Sequence, residues 1–203
     1  MNKLEDWQIL LREKEFNDLL MEWNGKINLV SRKKGDVMDL IDDSKIFFGK
    51  IDFREGIKIL DLGTGGGFPG IVIAINHPEA ELTLVDSIQK KITVVSDILK
   101  KMGLSNATAV CARAEDLVPM EAVTDSTSDS KYKYHFDYIV ARSVAVLQDL
   151  AAWSRFLIKL GGKLITVKGG EIMGEISATQ KLKYVKKVEA EENGERKIVT
   201  VTF

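Results

Sequence analysis

Apolar residues recur at helical spacing through the first part of the chain. Trp7, Leu10, Leu11, Phe16, Leu19, Leu20 and Trp23 alternate with Glu5, Asp6, Arg12, Glu13 and Lys14, which predicts an amphipathic helix that Asn24-Gly25 ends. A second amphipathic stretch spans 36–48, through Val37, Leu40, Ile41 and Ile46. From Ile57 the rhythm changes. Lys58–Leu62 is a short apolar strand that runs straight into a glycine cluster. A helix over 69–76, a strand over Glu81–Asp86 and an amphipathic helix over 88–102 follow. Further strands are expected at Ala107–Cys111, 136–141 and 163–167, with a helix over 147–160 before the last. Strands alternating with helices of this length predict an α/β fold. It is a doubly wound, mostly parallel sheet with right-handed connections and helices on both faces.

The chain thus divides into an N-terminal helical cap, 1–55, and an α/β domain, 56–203. Within that domain, 120–134 is polar, aperiodic and rich in Ser, Thr and Asp, longer than most connections, and reads as a mobile insert. Near the other end, two β-rich runs flank Asn193-Gly194, which predicts a C-terminal antiparallel hairpin.

Composition adds limits. Of 203 residues, 45% are hydrophobic and 29% charged, enough for one sizeable core. The single cysteine, Cys111, excludes an internal disulfide framework and a Cys-rich zinc site, and its strand predicts a buried, structural thiol. No metal site is expected. The opening residues lack the build of a signal peptide and no apolar run approaches bilayer length, so the expectation is cytoplasmic, with no membrane partner. With 29 basic and 30 acidic residues the net charge is −1, which speaks against a surface that grips nucleic acid everywhere. Resolved along the chain, the balance differs. Residues 141–187 hold nine bases and three acids, a net +6 suited to phosphates, and Arg32-Lys33-Lys34 forms a second basic patch. A solvated helix face is the alternative reading of the lysines in 181–187.

The densest chemistry lies in Asp61-Leu62-Gly63-Thr64-Gly65-Gly66-Gly67-Phe68-Pro69-Gly70, between a strand and a helix. Glycines there let the chain turn sharply and let a ligand approach the backbone. Gly65, Gly67 and Gly70 satisfy a dinucleotide fingerprint, so NAD enters the comparison, while the absence of Gly-Lys-Ser/Thr excludes a Walker loop. Asp61 ends the first strand, placed to meet an ammonium group, and Asp86 ends the second, placed to accept ribose hydroxyls. Ala114-Glu115-Asp116 follows the third strand. Together these describe an adenosine-ligand crevice at the carboxyl edge of a parallel sheet, with Gly63 and Gly65 at its floor.

The glycine run, with Leu-Val-Asp-Ser at 84–87, Ala-Arg-Ala-Glu at 112–115, Val-Ala-Arg-Ser at 140–143 and Val-Lys-Gly at 167–169, closely resembles one bacterial family. It is the ribosomal RNA small-subunit methyltransferase G family, also called glucose-inhibited division protein B. Trp23-Asn24-Gly25-Lys26-Ile27-Asn28-Leu29 looks like the family's W-N-x-K-x-N-L segment, and Asp43-Ser44 matches a further pair. The resemblance implies a class I, Rossmann-like methyltransferase fold. It also implies methyl transfer from S-adenosylmethionine to N7 of a guanine in the 530 loop of 16S ribosomal RNA. The implied cofactor contacts are Gly63, Phe68, Ala114, Glu115 and Arg142, with Asp86 and Ser87 near the ribose. Leu40 stands where the family usually has a His, and the insert is long for the family.

Such a reaction needs few catalytic groups. The sulfonium already activates the methyl and N7 carries a lone pair, so the task is mainly positioning and no general base is expected. His77 and His135 read as surface residues. Arg142 is the first positioning candidate, as a fixed cation able to meet a carboxylate, a phosphate or guanine acceptors, with an ion pair to Asp61 as the structural alternative. Lys168 is the second. Arg32, Lys33, Lys34, Arg142 and Lys168 are the RNA-contact candidates, and the partner is 16S RNA or a small-subunit particle, met by a monomer. A small-molecule methyltransferase and a non-catalytic adenosine-nucleotide-binding regulator are the alternatives.

Overall fold

The computed structural model describes residues 5–30, 35–119, 123, 130–142 and 144–203. Seven strands form one sheet: β1 Lys58–Leu62, β2 Glu81–Asp86, β3 Ala107–Cys111, β4 Phe136–Arg142, β5 Ile158–Gly169, β6 Lys187–Asn193 and β7 Arg196–Thr202. Their order is β3-β2-β1-β4-β5-β7-β6. The first five run parallel, and β7 returns antiparallel to β5 with β6 beside it. Asn193 pairs with Arg196 around Gly194, whose φ of 59° is the left-handed conformation such a two-residue turn requires. The predicted hairpin therefore forms where Asn-Gly placed it.

Period-two alternation buries both sheet faces. On β4, Val140 joins the core on one side while Ile139 and Ala141 join the other. The first side is covered by α1 Asp6–Asn24, α2 Met38–Ser44, α3 Gly70–Asn76 and α4 Gln89–Lys101, the second by α5 Leu147–Ser154 and α6 Met173–Gln180. The N-terminal helices share the first core. Phe16 and Leu20 are fully buried, Phe16 lies 5.2 Å from the ring of Phe68, Trp23 Nε1 donates to Asp97 at 2.7 Å, and Arg12 donates to the Met102 carbonyl at 2.7 Å.

Three local expectations are corrected, and one helix is added. The apolar stripe of α1 is shorter than its periodicity suggests: Trp7, Leu10 and Leu11 are exposed, and burial begins at Glu13 and Phe16 where α3 and α4 are met. The helix expected over 147–160 stops at Ser154, because Phe156-Leu157-Ile158 turns and enters β5, a run short enough to suit either period. α6 was not anticipated, having little buried apolar surface to mark it. Cys111 is exposed rather than buried, since β3 is the edge strand and Cys111 its last residue. Of the insert over 120–134, only 123 and 130–134 fall within the described residues.

Candidate cofactor crevice

β1 lies between β2 and β4, so the sheet changes winding direction at its carboxyl end. At such a switch point the loops after the strands diverge and leave a crevice. The chain leaving β1 turns back at once: the amides of Gly63 and Thr64 both donate to the Val85 carbonyl of β2, at 2.8 and 2.9 Å. Gly63 has φ 78°, and a Cβ there would stand 2.6 Å from Val144 Cγ2. Only glycine satisfies both demands.

Asp61 is fully buried beneath this loop. Its Oδ2 accepts from Thr64 Oγ1 at 2.6 Å and from the Gly70 amide at 2.8 Å, while its buried Oδ1 has no hydrogen-bond partner among the described residues. Burial drives its pKa up to about 6, against the pull of those two bonds and of the Arg142 guanidinium. Gly70 is needed at the start of α3 for the same reason, as a Cβ would meet Asp61 Oδ2 at 2.6 Å. Asp86 closes β2 in a different manner. Its Oδ2 accepts from the Gly65 amide at 3.1 Å and Lys91 Nζ at 3.2 Å, and its Oδ1 accepts from the Ile88 amide at 2.9 Å. One carboxylate thus ties the glycine loop to the start of α4.

Across the loop, Arg142 ends β4. Its guanidinium lies 5.1 Å from the Phe68 ring centroid and donates to the Leu40 carbonyl at 3.5 Å. Burial lowers its pKa, while Asp61 and Asp43 act to keep it charged. A cavity of about 390 Å³ opens here, bounded by Gly63, Gly65, Phe68, Arg142, Lys168 and Arg196. Arg196 holds Asp43 through both nitrogens, at 3.0 and 2.7 Å.

The structure therefore brings Gly63, Gly65, Phe68 and Arg142 together, with Asp61 underneath and Asp86 bonded to Gly65. Ser87 follows Asp86, its carbonyl 3.8 Å from Cys111 Sγ. Ala114 and Glu115 sit in a 3-10 turn after β3 and line a separate cavity of about 680 Å³ with Trp153 and Arg155. Lys168 has partners inside the fold: its Nζ donates to the Ala145 carbonyl and pairs with Glu175 at 3.0 Å, and Glu175 also accepts from the Leu147 amide at 2.7 Å. Arg32, Lys33 and Lys34 lie outside the described residues. Arg196 was not foreseen as a site residue. No local motif marks it, and only the pairing of Gly169 with Arg196 carries it to the crevice. Among the described residues, no three His, Cys, Asp or Glu are grouped to hold a metal ion, and no helix is long and apolar enough to cross a membrane.

Solved structures share this architecture. An S-adenosylmethionine-dependent O-methyltransferase from Thermotoga maritima is 16% identical, covering 91% of this chain and 70% of that one, with a TM-score of 0.61. TYW2 of M. jannaschii, solved in complex with AdoMet, is 14% identical over 87% of this chain and 77% of that one, also with a TM-score of 0.61. At these identities the likeness is one of fold. Sequence relatives are nearer. Ribosomal RNA small subunit methyltransferase G of Chlorobium luteolum is 41% identical over 164 residues, 80% of this chain and 63% of that protein. The Clostridium novyi protein of the same name is 36% identical over 82% of this chain and 66% of its own length. The chain thus spans just under two thirds of the length of these two relatives. The Lactococcus lactis protein of that name is 34% identical over 98% of this chain and 84% of its own length. The model of the rRNA small subunit methyltransferase G family matches residues 11–198, and the chain belongs to that family.

Proposed function

We propose that the chain is an S-adenosylmethionine-dependent methyltransferase acting on N7 of a guanine in the 530 loop of 16S ribosomal RNA, as a cytoplasmic monomer. The observation that carries the cofactor assignment is the pair of acids at adjacent strand ends. Asp86 accepts three hydrogen bonds of the roughly four a carboxylate can take, which leaves room for a ribose hydroxyl. Asp61 keeps one oxygen buried beneath the loop with no partner among the described residues, which an ammonium group could complete. Gly63 and Gly65 leave the backbone bare between them. These residues fit the group, whereas Ala114 and Glu115 line the separate cavity after β3 and Ser87 is not among the residues that bound the crevice.

The bound cofactor supplies an activated methyl on a sulfonium. The chain's own residues bind and orient. Arg142, braced by Phe68 and the Leu40 carbonyl, presents a fixed cation at the crevice wall, suited to a carboxylate, a phosphate or guanine acceptors. Lys168 acts one step back, holding the chain at Ala145 and, through Glu175, the start of α5. No histidine lines this cavity: His77 stacks on Phe53 at 3.4 Å after α3, and His135 precedes β4. Catalysis by positioning suits this lining.

Mapping N7-methylguanine in 16S RNA, from cells with and without the gene, tests the whole reading. Loss of one modified guanine in the 530 loop is expected, and unchanged methylation overturns it. Calorimetry with S-adenosylmethionine and NAD tests the crevice alone, and a preference for NAD overturns the cofactor assignment.

A further inference from the structure

A second surface lies at the other edge of the sheet. Tyr134 before β4, the first residues of β5, the turn before β6 and Phe203 after β7 enclose an open groove of about 910 Å³. β5 connects it to the crevice. At about 3.3 Å per residue, the run from Leu160 to Lys168 separates the two by about 25 Å, so they are distinct sites.

The groove combines unspent cations with exposed apolar faces. Arg155, Lys159, Lys183 and Lys186 line it, and among the described residues no Asp or Glu side chain does. Lys159 is paired with Asp137 at 2.8 Å, but among the described residues Lys183 and Lys186 have no ion-pair partner, and both are exposed. Arg155 stacks its guanidinium 4.3 Å from Phe156 and 5.6 Å from Tyr184, and Tyr184 lies flat against Phe203, 6.3 Å apart at 7°. Beside them Leu160 is 97% exposed, and Tyr134 is half exposed at φ 49°, a conformation a bulky residue rarely adopts. Exposed apolar and aromatic faces beside lysines that no acid neutralises match a ligand with flat faces and regular negative charge.

We infer that this groove binds a single-stranded segment of RNA, its bases against Tyr134, Leu160 and Tyr184 and its phosphates on Lys183 and Lys186. Cation and aromatic faces interleaved in this way recognise single strands without reading sequence. The inference rests on the reading of the substrate as RNA and deepens it. A second contact about 25 Å from the crevice favours a long, structured RNA or a ribonucleoprotein particle over a short hairpin.

The test uses the full chain and a fluorescein-labelled polyuridylate 20-mer, followed by anisotropy at several salt concentrations. Lys183→Gln with Lys186→Gln should lower the slope of log affinity against log salt by about 1.4, at about 0.7 for each phosphate released from a single strand. Tyr184→Ala should weaken binding about tenfold through lost stacking. Lys100→Gln, an exposed lysine on α4 that borders neither the groove nor the crevice, should leave binding of this probe within about twofold. Equal loss in Lys100→Gln, or no loss in the Lys183 and Lys186 variant, overturns the inference, as does absence of binding by the unaltered protein. Vesicles of phosphatidylcholine and phosphatidylglycerol are the control. Loss of vesicle binding in place of RNA binding in the lysine variant assigns the groove to a membrane surface and also overturns it. S-adenosylmethionine calorimetry on the lysine variant should match the parent, so failure here stays distinguishable from failure of the methyltransferase reading.

Discussion

Arg196 grips Asp43 with two nitrogens of its guanidinium, at 3.0 and 2.7 Å, and so ties the end of α2 to the first residue of β7 across the crevice. The pair is more than a third exposed, so its worth to stability is under about 1 kcal/mol. Its value is geometric, because a fork-to-fork pair fixes an angle as well as a distance. Arg196→Lys keeps the charge and loses the fork. Methyl transfer to 16S RNA should fall through a raised KM while the thermal midpoint moves by only a degree or two. A large fall in the midpoint would make the pair a structural clamp instead.

Gly63 offers a test of the loop with an internal control. Gly63→Ala places a methyl at φ 78° and 2.6 Å from Val144 Cγ2, which costs about 2 kcal/mol through backbone strain and overlap together. Val144→Ala removes only the second part. The double variant should recover part of the lost S-adenosylmethionine affinity, read by calorimetry as a coupling energy of about 1 kcal/mol. Strictly additive losses would show that the strained backbone, and not Val144, sets the glycine requirement.

Asp61 gives a pH dependence whose sign is fixed. Its folded pKa of about 6 lies above the ordinary value of 3.8, so the native state binds the extra proton between those values. The stabilisation is fully present below about pH 4 and is lost as pH rises through 6, a change of about 3 kcal/mol at 1.36 kcal/mol per unit. Asp61→Asn lacks this titration and keeps acceptors for Thr64 and Gly70. Urea unfolding of both proteins should show the variant gaining relative to its parent by about that amount between pH 4 and pH 7. A constant difference across that range would mean that Asp61 stays ionised in the fold.

What could be read ahead of the structure was local. The glycine loop, the acids ending β1 and β2 and the Asn193-Gly194 turn each specify geometry within about ten residues, and each lies where it was expected. Contacts that close the crevice are not of that kind. Arg196 reaches Asp43 across 153 positions, and Lys168 meets Glu175 on a helix too weakly apolar to announce itself. Edge effects were equally hidden: Cys111 sits on a strand-like run, but nothing in that run says that β3 has a neighbour on one side only. Leu40 sharpens the point. Its carbonyl, which any residue would supply, is what Arg142 meets, so the departure from the family's usual His leaves this contact available.

Glu13 is the strongest probe of how the N-terminal helices hold to the core. It is fully buried on α1, and its two oxygens are met from two other elements: Oε2 by Lys45 Nζ at 2.9 Å and Oε1 by Asn76 Nδ2 of α3 at 2.9 Å. Burying a carboxylate is costly unless charge and hydrogen bonds compensate it, so removing one partner hurts more than removing the charge itself. Lys45→Met leaves the carboxylate with Asn76 alone and should cost about 3 kcal/mol. Adding Glu13→Gln removes the stranded charge while an amide oxygen still accepts from Asn76, and should restore most of that loss. Denaturant unfolding of the parent, the two single variants and the double variant measures the coupling. If Lys45→Met costs under about 1 kcal/mol, the pair behaves as an exposed one, and the packing of Phe16 and Leu20 with the Trp23–Asp97 and Arg12–Met102 hydrogen bonds fastens α1 to the core.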